Sequence, residues 1–400
     1  MHCTTEINRY FHYVGSSDRR LALFENAYPI PRGVSYNSYL ALDGKTVLLD
    51  TADKAVSGVF FENIDHVLAG RKLDYVIVNH MEPDHGATLG ELISRHPEVT
   101  IVANAKTVAM IKQFFSFDVD SRLLLVKEGD TLSTGDLDFS FVMAPMVHWP
   151  EVMMTYERTT KTLFSADAFG TFGALSGNIF ADKYDFEADW LDDARRYYTN
   201  IVGKYGLQVQ AALKKAAGLD IAVIAPLHGP IWRENLSYFI DKYSKWASYT
   251  PEEKGVLVLY GTVYGNTGNA ADILATMLAK KGVSNIKELD VSTVHPSVVV
   301  SEAFRYSHIV FASSTYNAGI FTPMEIAVTD LKLHNLQNRK CAVFENGTWA
   351  PSAAPKIREI LATMKNMEVI EKSLLVKSSV SSTNLEELQE IADELASDLV

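Results

Sequence analysis

The chain has 400 residues, 47% of them apolar and 22% charged, and a formal net charge of −12. That size predicts two or three domains of ordinary globular composition, and the negative charge, with no basic run, excludes a general nucleic-acid binder. No stretch reaches the roughly 18 apolar residues of a membrane span, and Met1 to Arg9 lack a signal-peptide core. Cys3 and Cys341 are the only cysteines, so a cytoplasmic protein without structural disulfides is expected.

Residues 36–42 and 45–50 flank Asp43-Gly44 and predict a hairpin with an Asp-Gly turn. Residues 63–68 suit a helix. Residues 73–78 are β-branched and aromatic and read as a buried strand. That strand runs into Asn79-His80-Met81-Glu82-Pro83-Asp84-His85, which packs four potential metal ligands into six positions. Alternate residues of an extended loop point the same way. His80 and Glu82 can therefore share one metal while Asp84 and His85 turn toward a second. Imidazole suits zinc, copper, iron and nickel, and a carboxylate among the ligands favours harder ions, here iron.

Further short strands are expected at 99–103, 123–126, 137–142 and 153–156, giving a mixed α/β domain with helices flanking two packed sheets. Ligand-type residues recur where apolar runs end: His148 after 141–147, Asp167 after 162–166, and His228 after 221–227. Taken singly, each reads as a satisfied polar residue or a cap. His66, His96, His295, His308 and His334 lack that setting and read as surface or structural. A helix-rich stretch over 186–215 carries Tyr197 and Tyr198. Either can pack in the core, or donate a hydrogen bond or proton near a metal pocket, and Tyr198 is taken as the catalytic candidate.

The polar stretch 249–255, with Pro251 and Gly255, marks a boundary between domains 1–250 and 251–400. Strand 256–260 is followed by Thr262-Val263-Tyr264-Gly265-Asn266-Thr267 and a helix from about Ala270. A hydroxyl- and glycine-rich loop leading into a helix is an anion site, and one without lysine suits a phosphate monoester. It matches neither the triphosphatase loop nor the dinucleotide fingerprint. Two more strands end in polar loops with an aromatic, Ser313-Ser314-Thr315-Tyr316-Asn317 and Asn346-Gly347-Thr348-Trp349. An amphipathic helix from about Asn384 closes the chain. A doubly wound parallel sheet binds ligands at these strand ends.

Residues 30–250 resemble the metallo-β-lactamase fold, an αβ/βα sandwich, and 255–400 resemble flavodoxin. In the hydrolases of the first family the motif is His-x-His-x-Asp-His, whereas this chain has Glu82 at the second histidine. That departure, together with the flavodoxin-like half, resembles the flavodiiron proteins. The resemblance implies two non-haem irons. One would take His80, Glu82 and His148, the other Asp84, His85 and His228, with Asp167 bridging. His85 is the ligand that varies among relatives. It also implies FMN in the 262–267, 313–317 and 346–349 loops, with Tyr316 and Trp349 facing the ring. The implied activity is reduction of O2 to water, of NO to N2O, or both, with electrons from an external donor such as rubredoxin. The implied assembly is a head-to-tail homodimer, or a homotetramer of such dimers. Two other classes stay open on the residues alone: a two-metal hydrolase fused to a flavodoxin, and an electron-transfer flavoprotein with a structural metal domain.

Overall fold

Strands Tyr39–Leu42 and Thr46–Leu49 pair antiparallel around a three-residue turn, Asp43 to Lys45, so the predicted hairpin forms with a longer turn than two residues. Its first arm is also shorter than expected, because Val34–Tyr36 leaves to pair with Ser16–Asp18. In the computed structural model, which describes residues 2–400, this hairpin lies within a seven-stranded sheet. The strands follow one another in chain order: Thr5–Glu6, Phe11–Tyr13, Tyr39–Leu42, Thr46–Leu49, Tyr75–Ile77, Thr100–Ala103 and Leu123–Leu125. The last four run parallel.

A second sheet of five strands also follows chain order, with Thr131–Ser133, Asp138–Met143, Met153–Glu157, Thr162–Phe164 and Val223–Ala225. The sheets meet through aromatic rings on their inner faces. Phe11 lies 5.1 Å from Phe164 and 6.2 Å from Phe139, and Tyr39 lies 5.2 Å from Phe164, measured between ring centroids. Burying side chains of this size supplies about 1.5–3 kcal/mol each and holds the two layers together.

Register decides where the functional loops emerge. Met143 pairs with Met153, Thr155 with Phe164, and Phe164 with Ala225. The loop after 143 and the chain after 164 and after 225 therefore leave the second sheet at the same end. These are the segments that carry His148, Asp167 and His228.

The second compact unit comprises residues 199–204 and 245–400, and the first is the rest. The second unit is built on a parallel sheet of Glu253–Gly261, Ile286–Asp290, Tyr306–Tyr316, Arg339–Asn346 and Met367–Val376. Counted along the chain, the spatial order is second, first, third, fourth, fifth. The sheet packs against helix Asn266–Lys280 and the C-terminal helix Ser382–Ala396 through a fully apolar core that includes Val258, Leu274, Phe344 and Leu388. The switch point of this order falls between the first and third strands, at whose C-terminal ends the Thr262 and Ser314 loops begin. No helix among the described residues is long and apolar enough to cross a membrane.

Candidate metal centre and flavin pocket

The 79–85 segment is pinned from below before any ligand is placed. Asp50, buried at the end of its strand, accepts from the Asn79 backbone and side-chain N–H groups at 2.7 Å each and from the His80 N–H at 3.1 Å. The Thr155 hydroxyl donates to Asn79 Oδ1 at 2.7 Å, and the Thr51 hydroxyl donates to the His85 carbonyl. Pro83 opens a single helical turn, Pro83–Gly86, whose N-cap is Glu82. Glu82 precedes the turn with φ −56° and ψ 141° while Asp84 and His85 lie within it, and the four side chains fall in two groups, His80 with Glu82 and Asp84 with His85.

The seven ligand-type residues form two groups: His80, Glu82, His148 and Asp167, and Asp84, His85 and His228. All seven are buried. Glu82 Oε2 lies 3.2 Å from His80 Nε2 and 2.9 Å from His148 Nε2. Asp167 divides its oxygens between the groups. Its Oδ2 is 3.1 Å from His148 Nε2, and its Oδ1 is 3.2 Å from His85 Nε2. In the second group His85 Nε2 and His228 Nε2 approach to 3.0 Å, and Asp84 Oδ2 is 3.3 and 3.2 Å from them.

These distances suit cations. Donor atoms about 2.1 Å from a shared ion stand roughly 3.0–3.4 Å apart in octahedral or tetrahedral geometry. Both oxygens of Asp84 and Oδ1 of Asp167 are buried without a hydrogen-bond partner, a costly state that a positive ion in the site relieves. The electrostatics agree. Burial opposes charge on His148, yet its hydrogen bonds to Asp167 and Glu82 raise its pKa to about 9. His80 and His85 are raised as well against their burial, by Asp167 and its neighbours for the first and by Asp84 and Asp167 for the second. Burial acts to raise Asp167, but the facing histidines hold it well below the usual carboxylate range. Three carboxylates, Glu82, Asp84 and Asp167, thus draw positive charge into one buried pocket.

Several groups that shape the site carry no clear signal in the sequence. Glu151 accepts from His80 Nδ1 at 2.8 Å and from the Met81 N–H at 3.0 Å. His228 Nδ1 donates to the Ser35 carbonyl at 2.7 Å. Gly229, which follows His228, has φ +75°, and a Cβ there would collide with Thr171. Of the two tyrosines, Tyr197 is the one beside the cluster, its ring 5.4 Å from that of His228. Its hydroxyl is buried with no hydrogen-bond partner. Burial first, then the charges of Asp167, Asp84 and Glu82, push its pKa well above the ordinary value, so it stays protonated. Tyr198, the residue singled out from the sequence, instead packs its ring on Tyr243 at 4.7 Å. Phe24 and Tyr36 cover His228 at 5.4 and 5.9 Å, which keeps that face of the cluster apolar.

The second unit holds a cavity of about 580 Å³ at the carboxyl ends of its strands, a size that suits a bound cofactor. The predicted residues of the three loops line it, except Gly265 and Ser313. Gly265 is the N-cap of helix Asn266–Lys280 at φ +94°, a left-handed position that turns the loop into the helix. Ser313 is buried beneath the surface, its hydroxyl donating to the Ser314 carbonyl at 3.0 Å. Ala318, Ala350 and Ser378 complete the lining. None of the lining residues is charged, so an anionic group there meets N–H groups, hydroxyls and the positive end of the helix. Tyr264, Tyr316 and Trp349 are 93%, 47% and 81% exposed at the rim. Trp349 is thus no core residue, and a flat ring system would cover this apolar surface.

Comparison with known proteins agrees with both halves. The model of the ODP family beta lactamase matches residues 34–229. The anaerobic nitric oxide reductase flavorubredoxin of Escherichia coli is 30% identical over 86% of this chain and 72% of its own length. Rubredoxin oxygen:oxidoreductase from Desulfovibrio gigas is 29% identical with a TM-score of 0.91, covering 99% of this chain and 98% of that one. The flavodiiron protein from Giardia intestinalis is 26% identical with a TM-score of 0.90, covering 99% and 95%. With a metallo-β-lactamase-like unit that has Glu82 at the second motif position and a flavodoxin-like unit behind it, the chain belongs to the flavodiiron protein family.

Proposed function

We propose that this oxidoreductase reduces O2 to water, NO to N2O, or both, at two non-haem irons, with electrons passed through FMN from an external donor such as rubredoxin. The observation that carries the reading is Glu82. It sits at the second histidine of the hydrolase motif, in a seven-residue cluster, in a chain that also has a flavin-sized cavity. His80, Glu82 and His148 would hold one iron, Asp84, His85 and His228 the other, and Asp167 would span them with its two oxygens. We assign the metal-binding domain to residues 1–250 and the FMN domain to 251–400. A cytoplasmic setting fits two unpaired cysteines, Cys3 and Cys341.

The irons and the flavin, when bound, would supply the redox chemistry. The protein's part is binding, orientation and protons. Glu151 and the Ser35 carbonyl each accept the Nδ1 proton of a histidine, which leaves Nε2 of His80 and His228 free as a ligand. Phe24 and Tyr36 cover the His228 side of the cluster. Tyr197 has a buried, protonated and unpartnered hydroxyl beside His228, so we assign it the hydrogen-bond donor role toward the substrate. In the flavin pocket, the loop from Thr262 to Thr267 and the helix that follows would hold the phosphate, and Tyr316 and Trp349 would flank the ring.

The test combines content with turnover. Protein from iron-replete cells should carry about two irons and one FMN per chain, and reduced protein mixed anaerobically with O2 and with NO in separate stopped-flow experiments should be reoxidised, and should turn over repeatedly once an external electron donor is supplied. Zinc at both positions would return the chain to the two-metal hydrolases. Iron and FMN present but no turnover of either gas would leave only electron transfer.

A further inference from the structure

We propose that Glu151 is a positioning residue that makes the two halves of the cluster unequal, giving the His80–Glu82–His148 half the tighter hold on its metal ion. The inference deepens the dinuclear reading above and rests on it. A metal-binding imidazole needs one ring nitrogen free and the other protonated, and the group that accepts that proton sets both tautomer and ring orientation. The two halves differ in this respect. In the first, His80 Nδ1 lies 2.8 Å from Glu151 Oε1, and the same oxygen accepts from the Met81 N–H at 3.0 Å. One carboxylate therefore fixes the ring of His80 and also the backbone between His80 and Glu82. Glu151 is itself fixed. Its side chain is fully buried, and its carbonyl accepts from Asn104 Nδ2 at 2.7 Å. It stands three positions after His148, so the turn that delivers the third ligand also delivers the support for the first.

The second half has no carboxylate in this role. His228 Nδ1 donates to the neutral Ser35 carbonyl at 2.7 Å, and His85 Nδ1 is buried with no partner. A carboxylate raises the donor strength of an imidazole more than a carbonyl does, because the proton it accepts is drawn toward a full charge. Glu151 also leaves its second oxygen, Oε2, buried without a partner. That works against folding stability, so the arrangement favours the ligand at the fold's expense.

The experiment uses intact protein loaded with ferrous iron and FMN under anaerobic conditions, titrated with a ferrous-iron chelator at fixed pH. Iron release is followed by metal analysis and by Mössbauer spectroscopy. Wild type should lose its irons in two steps. Glu151→Ala should weaken the tighter step about 10–100-fold and leave the looser step and the FMN content unchanged. Glu151→Gln, which keeps an oxygen acceptor, should fall between the two. In iron-free protein at a pH high enough to leave His80 neutral, 15N NMR should show its ring protonated at Nδ1 in wild type and mixed tautomers in Glu151→Ala, a change that loosened packing alone does not produce. A wild type that releases both irons in one step overturns the proposal. So does a Glu151→Ala protein whose tighter step is unchanged, or one in which both steps weaken equally. Should the alanine variant not fold, as judged by loss of FMN, the glutamine variant is read by the same criteria. Wild type that never holds two irons would fail the dinuclear reading itself, whatever Glu151 does.

Discussion

Each ligand-type residue of the two groups follows an apolar strand, and that is why the seven stood out as candidates. An apolar run followed by His, Asp or Glu is a visible event in a sequence, and four such residues in six positions make it specific. The supporting groups had no such mark. Glu151 is one acid among many until the fold brings it to His80, and the Ser35 carbonyl is backbone. Asp50 looks like the end of a strand. Tyr197 and Tyr198 could not be told apart because the helix Leu191–Tyr197 passes into a wider turn at Tyr198–Val202, which changes the phase that decides which ring faces the cluster. Two substitutions test this scale. Glu82→His replaces a hard anionic ligand by an imidazole and should shift the purified metal content toward zinc while FMN content holds, since the flavin residues lie in the other unit; full iron and full reductase activity in that variant would contradict the role given to Glu82. Tyr197→Phe removes only a hydroxyl and should lower turnover roughly 100-fold or more at unchanged iron content, with Tyr198→Phe close to wild type. Equal effects of the two would dissolve the distinction drawn between them.

At the scale of elements, the flavin unit was the more readable half. Three of its strands, Glu253–Gly261, Tyr306–Tyr316 and Arg339–Asn346, carry long apolar runs, and each feeds a loop with glycine, hydroxyls and an aromatic, whereas Ile286–Asp290 and Met367–Val376 are interrupted by charged residues and carried no such mark. The first unit has strands as short as two or three residues, for which periodicity says little. Its register, which brings the chain after 143, 164 and 225 to one end of a sheet, is a product of pairing that no local pattern displays. The strand–loop–helix that opens the flavin unit offers a clean test of local geometry. Gly265 sits at φ +94°, and a Cβ there would meet nothing within 4 Å. Gly265→Ala therefore adds no clash, only the conformational penalty of a side chain in the left-handed region, about 1–2 kcal/mol. Thermal melting of the FMN-free protein should show that loss. Fluorescence titration with FMN should show weaker binding as well, because the loop N–H groups would no longer be held in place for the phosphate. Stability lost with FMN affinity intact would mean that this loop does not carry the phosphate.

At the scale of the whole molecule, the metal cluster belongs wholly to one unit and the flavin cavity wholly to the other. The boundary read from the sequence lies near residue 250, and the long segment of the second unit starts at 245. It could not show that residues 199–204 group with the second unit, since nothing in a short helical stretch announces which core it joins. The division has a functional consequence. Electrons pass quickly only across short gaps, so a working site needs a flavin edge close to a metal cluster, and the two can come from one chain or from two. We expect two chains, in a head-to-tail homodimer or a dimer of dimers. A two-fold contact of that kind is self-complementary and yields two equivalent shared sites. The expectation can be tested by mixing two variants, each inactive alone. His148→Ala disables the cluster of one chain, and Asn266→Ala, at the rim of the flavin cavity, disables the flavin site of the other. After subunit exchange, a mixed dimer pairs the intact flavin of one chain with the intact irons of its partner, and one of its two sites works. Activity should then return to about a quarter of wild type, since statistical exchange makes half the dimers mixed and each has one working site of two. Analytical ultracentrifugation would confirm that exchange has taken place. No recovery after proven exchange, or full activity from a protein shown to be monomeric, would place flavin and irons of the working site in the same chain.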